Sequence, residues 1–247
     1  MARVDVTEVA GGVWWVRGTA VNWYLIRDGD AVTLIDAGYP GDADGVEESV
    51  RMIGRDPKDV QAVLLTHAHV DHLGGVKPFH DRHGTPLLVD PVELEHARRE
   101  RLEQVGPGAL IANAWRPGVL PWVARIVRAG ATRDPAAPFA TAFEPGVSLD
   151  LPGAPRPVPT PGHTSGHSAY LLPGAGAVVS GDALVTAHPT TRIDGPQLLP
   201  EMYHHDDAAA RASLSAIAGL DADLLLPGHG PPRTGSVSDA VASALDR

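Results

Sequence analysis

The chain has 247 residues, 43% hydrophobic and 20% charged, ordinary values for a globular fold. It holds twelve histidines and no cysteine, which removes disulfides, thiolate nucleophiles and iron–sulfur clusters from consideration. The net charge of −10 argues against a nucleic-acid partner, no stretch has the ~20 apolar residues of a membrane span, and the start has no apolar signal core, so a cytoplasmic protein with no membrane partner is expected.

Val13 to Arg17, Val21 to Arg27 and Ala31 to Asp36 are rich in β-branched and aromatic residues between glycines, which predicts three strands. Asp28-Gly29 between the last two is a hairpin signal. An acidic helix is expected from about Asp44 to Ile53, then an apolar strand from Val60 to Thr66 that runs straight into His67. Residues 72–84 read as a helix, Pro86 to Val89 as a short strand and Val92 to Leu102 as a charged helix. From about 104 to 138 the strand period is lost and short helices are expected, forming an insertion that acts as a lid, a substrate wall or a packing element. Strands return at Pro155 to Thr160, Ser168 to Leu172, Ala177 to Ser180 and Leu224 to Leu226. Helices are expected over Asp206 to Leu220 and from a cap at Ser236. The pattern is that of a layered α/β domain over 1–247 with its site at strand ends.

Thr66-His67-Ala68-His69-Val70-Asp71-His72 packs three imidazoles and a carboxylate directly after a buried-type strand. Left unpaired in a core, such groups would carry a heavy desolvation cost, so packing alone does not explain them. An extended loop would point residues 67, 69 and 71 one way and His72 another, a separation that suits two adjacent ions. Pro161-Gly162-His163, Ser180-Gly181-Asp182 and Pro227-Gly228-His229 each place one more ligand-type residue beside glycine at the exit of an apolar strand.

His-x-His-x-Asp-His, followed by single His, Asp and His after later strands, resembles the metallo-β-lactamase fold superfamily, in its glyoxalase II-like and lactonase-like branch, over almost the whole chain. The resemblance implies a single-domain four-layer αββα sandwich with a metal site at one edge. It implies that His67, His69 and His163 hold a first ion, that Asp71, His72 and His229 hold a second, and that Asp182 bridges them. It also implies that Asp36 orients a ligating imidazole from behind.

Imidazoles and carboxylates suit Zn²⁺, with Fe²⁺ or Mn²⁺ as alternatives. Two divalent ions can clamp a hydroxide and polarise a carbonyl, with Asp71 placed as the catalytic carboxylate that steers the water and passes on its proton. Hydrolysis of a small ester, thioester or lactone is therefore expected, with a small-molecule substrate as the partner and the oligomeric state left open. Val185 stands where similar lactonases carry a tyrosine, which weakens the lactone option. The alternative is an iron-dependent persulfide dioxygenase, with a β-lactamase below both. His167 is placed to support a ligand. Trp115, Trp122, His188, Tyr203, His204 and His205 are candidates for substrate contact, and His80, His83 and His96 read as surface residues.

Overall fold

The computed structural model describes residues 4–247. Seven strands form the first sheet in sequence order: β1 (Asp5–Ala10), β2 (Val13–Arg17), β3 (Asn22–Asp28), β4 (Ala31–Ile35), β5 (Val60–Leu64), β6 (Leu87–Val89) and β7 (Thr141–Ala142). Pairing is antiparallel up to β4 and parallel beyond it, because helices carry the later crossovers. The second sheet runs β12-β11-β10-β9-β8 and is built from β8 (Arg156–Pro159), β9 (Ser168–Leu172), β10 (Ala177–Gly181), β11 (Leu224–Pro227) and β12 (Arg233–Thr234). The expected hairpin at Asp28-Gly29 joins β3 to β4, with Gly29 at φ 57°.

Alternation along the strands sorts the core into layers. Trp23, Leu25 and Leu34 face outward, where Val46 and Val50 of α1 (Ala43–Met52) meet them. Their neighbours Tyr24, Ile26 and Ile35 face inward and pack on Tyr170, Leu172, Val179 and Leu226 of the second sheet. On the far side, Val178 and Leu225 pack under α7 (Asp207–Ala218) and α8 (Val237–Leu245) through Leu214, Ile217 and Val241. Helix, sheet, sheet, helix is the αββα sandwich expected from the resemblance. The Ser236 hydroxyl accepts from the Asp239 amide and caps α8 as predicted.

The helix predicted over 72–84 is two: α2 (Val70–Leu73) and α3 (Val76–His83), separated by Gly74-Gly75. A Cβ on Gly75 would lie 2.3 Å from the Ala37 carbonyl oxygen, so the break lets the backbones meet. The helix expected over Val92 to Leu102 ends after one turn, α4 (Leu94–Ala97), and Arg99 stands at φ 63° beyond it. Residues 104–138 contain two short helices, α5 (Pro107–Ala112) and α6 (Val119–Arg128). Trp122, Ile126 and Ala129 pack on Tyr39, Val185, Leu199 and Tyr203, so this segment has its own small core.

Candidate metal centre

Two residues separate His67 from the end of β5, and this loop is tied to the end of β4 by Asp36. The Thr66 amide donates to Asp36 Oδ1 and the Thr66 hydroxyl to Oδ2, both at 2.8 Å. His72 Nδ1 donates to the same Oδ2 at 2.8 Å. Asp36 holds these three groups from φ 62°, a left-handed conformation that aspartate tolerates better than most residues. The sequence expectation of an extended loop through residue 71 is corrected here. The chain turns helical at Val70, with His69 as the residue before the turn, and this carries Asp71 and His72 away from His67 and His69.

Each of five imidazoles has one nitrogen tied to the outside, which fixes its proton. The Thr66 hydroxyl gives its proton to Asp36, so its oxygen accepts from His67 Nδ1 at 3.1 Å. His69 Nε2 donates to the Glu103 carbonyl at 2.6 Å. His204 Nε2 donates to the Leu199 carbonyl, which leaves His204 Nδ1 to accept from His163 Nδ1 at 3.3 Å. His229 Nδ1 donates to the Ala20 carbonyl at 2.8 Å. The remaining nitrogens all face one centre. They and the carboxylates form three groups, each with ligand atoms within 4.8 Å: His67, His69 and His163; His67, His72 and Asp182; Asp71, His72 and His229.

Asp182 lies among all of them. Its Oδ2 is 3.2 Å from His229 Nε2, 3.4 Å from His163 Nε2 and 4.0 Å from His67 Nε2, while Oδ1 is 3.4 Å from His72 Nε2. Such an approach requires glycine across the gap, because a Cβ on Gly228 would meet Asp182 Oδ1 at 2.2 Å. His167 accepts from the Asp182 amide through Nε2 at 3.1 Å and donates from Nδ1 to the Thr160 hydroxyl. It thus fixes the loop that presents the carboxylate.

Electrostatics match a cation site. Burial pushes His67 and His163 well below the ordinary imidazole range and His69 to about 4, so these three are neutral donors at pH 7. Burial also lowers His72 and His229, but Asp36 lifts His72 well above its usual value and Asp182, with Asp71, brings His229 to about 10. Burial raises the two carboxyls. His72 and His229 outweigh it, bringing Asp71 to about 2 and Asp182 well below the usual carboxylate range. His67 Nε2, His72 Nε2 and Asp182 Oδ1 are buried with no hydrogen-bond partner among the described residues. His69 Nδ1 and His163 Nε2, both acceptors by the tautomers above, stand 3.0 Å apart. Orphaned and opposed lone pairs of this kind fit divalent ions that displace the protons.

Three supporting residues escaped the sequence. Glu93 is 1% exposed and accepts from the Ala68 amide, the Thr164 hydroxyl, the Gly166 amide and His96 Nδ1, tying the loop of His67 to the loop of His163. His96 is therefore fully buried, and its assignment to the surface is corrected. His80 and His83 are half-buried rather than surface, the former stacked on Phe139 at 3.6 Å. Glu103 accepts from the Ser165 amide and hydroxyl while its carbonyl holds His69. Tyr39, 1% exposed, donates from its hydroxyl to Asp71 Oδ2 at 3.4 Å. None has a sequence signal, because each joins loops 25 to 73 residues apart in the chain, as in the Ala68–Glu93 and Gly166–Glu93 bonds.

A cavity of about 560 Å³ opens over Asp71, His163, Asp182 and His229. Trp122, His188 and Tyr203, candidates for substrate contact, line it with their rings 5.3–5.6 Å apart in edge-to-face contacts. Burial pushes His188 to about 3. Trp115 does not reach this cavity. It is 79% exposed and borders a separate groove with Arg192 and Ile193, so its expected place at the site is corrected.

Fold and site together define a class. Residues 16–229 match the metallo-beta-lactamase superfamily, and the chain belongs to that family. Among relatives, it is 25% identical to Bacillus subtilis "Probable metallo-hydrolase YflN" over 92% of this chain and 87% of that one. It is 29% identical to the hydroxyacylglutathione hydrolase of Acidiphilium cryptum over 83% of this chain, and spans 63%, less than two thirds, of that enzyme's length. The crystal structure of a metallo-beta-lactamase family protein from Thermus thermophilus superposes with a TM-score of 0.67 over 97% of this chain and 80% of the other, at 22% identity, a likeness of fold. No helix among the described residues is long and apolar enough to cross a membrane.

Proposed function

We propose that the chain is a metal-dependent hydrolase that cleaves the acyl bond of a small ester or thioester, with a lactone as a related substrate. The observation that supports it is the convergence of seven nitrogen- and oxygen-donor side chains on one centre, five of which line a single cavity, with three buried donor atoms lacking partners among the described residues. His67, His69 and His163 would hold one ion, Asp71, His72 and His229 a second, and Asp182 both. Zn²⁺ suits this donor set, with Fe²⁺ or Mn²⁺ as alternatives. When bound, the ions supply Lewis acidity at a carbonyl oxygen and lower the pKa of water. Likeness to a hydroxyacylglutathione hydrolase favours the thioester.

The chain's own residues supply the rest. Asp71, bonded by Tyr39, faces the cavity and is placed to take a proton from the attacking water and return it to the leaving group. Asp36 orients His72, Glu103 orients His69, and His167 holds the Asp182 loop. The segment 104–138 supplies most of the cavity's apolar lining, through Val105, Leu110, Trp122, Val123 and Ile126.

Metal analysis of the purified protein and a panel of thioesters, aryl esters and lactones test this. The expected result is near two ions per chain and thioester turnover that falls on the order of 10³-fold in Asp182→Ala. One iron per chain with oxygen consumption on a persulfide, or undiminished turnover in Asp182→Ala, would overturn it.

A further inference from the structure

The cavity carries two chemistries that the metal centre does not use. Val105, Leu110, Trp122, Val123 and Ile126 give it an apolar lining, and Arg99 and Arg133 line it as well. Leu102 and Val127 line it too, yet are 59% and 48% exposed at its rim. Helix α5, Pro-Gly-Ala-Leu-Ile-Ala, has no buried residue and no polar side chain to justify its exposure. Between residues 98 and 133 seven arginines face two glutamates, an excess of five positive charges in a chain whose net charge is −10.

Arg99 is the more buried of the two arginines. Its side chain is 10% exposed, and its Nε and Nη2 have no hydrogen-bond partner among the described residues. The nearest carboxylate, on Asp134, is 4.0 Å from Nε and 73% exposed to solvent. Its Nη1 donates only a long 3.4 Å bond to Gln104. Such a guanidinium gains from an anion that enters with the ligand. The buried Trp122 indole N–H also has no acceptor among the described residues.

We infer that the substrate is an anionic amphiphile: an acyl chain of medium length lies along α5 and α6, and a carboxylate or phosphate-type group pairs with Arg99 and Arg133. The acyl chain covers the apolar rim that the protein leaves bare. The inference rests on the hydrolase assignment for the bond that is cut and on the cavity for what is bound.

The test uses metal-loaded enzyme and thioesters from acetyl to decanoyl, each as a pair whose thiol half carries a carboxylate or its methyl ester. KM should fall at least about tenfold from acetyl to octanoyl, and the carboxylate should be preferred by about tenfold. That preference should collapse toward one in Arg133→Gln, at an exposed position, and in Arg99→Gln. Chain-length independence, or a charge preference that survives Arg133→Gln, overturns the inference. Calorimetry with decanesulfonate gives a readout free of turnover, with binding expected to weaken about tenfold in Arg133→Gln. If decanesulfonate binds in this way and no thioester is cut, the amphiphile site stands and the hydrolase assignment fails. If short neutral thioesters are cut and decanesulfonate does not bind, the hydrolase stands and the amphiphile site fails.

Discussion

Glu93 takes hydrogen bonds from the loops of His67 and His163 and from His96, whereas α5, a short way further along the chain, has no fully buried residue and rests on the Trp122 cluster only through half-buried Leu110. The two regions support the same cavity in different ways. Beneath its floor, ligating side chains are held by polar partners: Asp36 fixes His72 and the neighbouring Thr66, Glu103 fixes His69 and Ser165, and His167 holds the backbone of Asp182. In the flap, position is set by one small apolar cluster around Trp122. Chemistry that needs donors held to fractions of an ångström is built where polar partners are redundant. Shape recognition is left to apolar surface that gains most from being covered.

Substitutions on the two sides should separate these modes of support. Gly228→Ala forces a Cβ against Asp182 and should cost on the order of 10²-fold in kcat/KM, with reduced metal content measured on the same sample. Glu93→Gln keeps the shape but replaces a carboxylate that joins two ligand loops. A loss of about 10- to 100-fold in metal affinity or activity is expected, read by competition with a chelator. Trp122→Ala removes the anchor of the flap and should destabilise by about 3 kcal/mol in urea unfolding, with metal content unchanged. Ile111→Ser, at a residue 76% exposed, should change stability by less than about 0.5 kcal/mol. If Trp122→Ala stripped the metal as Glu93→Gln does, floor and flap would be one cooperative unit and the contrast would fail.

The same contrast decides what the amino-acid order reveals. His67, His69, Asp71 and His72 announce themselves because four of six consecutive residues carry chemistry a core would reject. His163, Asp182 and His229 are legible because glycine and an apolar strand flank each. The inner strands β2 to β5 and β9 to β11 show clear hydrophobic runs. β1, β7 and β12 do not, since they are edge strands with no fully buried residue. Glu93, Glu103 and Tyr39 are invisible for another reason: an isolated acid or tyrosine acquires meaning only from partners the fold brings near. His96 reads as a surface residue in sequence, but its helix ends after one turn and folds inward toward Glu93.

The centre draws its donors from both sheets: His67, His69, Asp71 and His72 follow β5, while His163, Asp182 and His229 follow β8, β10 and β11. Asn22 and Tyr24, which both donate to the Pro227 carbonyl, and Tyr170, which donates to the Leu65 carbonyl, staple the halves near that edge. Ions bound there would act as a rivet through the sandwich, adding thermal stability that tracks free-metal concentration. At a thousandfold excess over Kd the gain is about 4 kcal/mol, so a chelator should lower Tm as well as silence the enzyme.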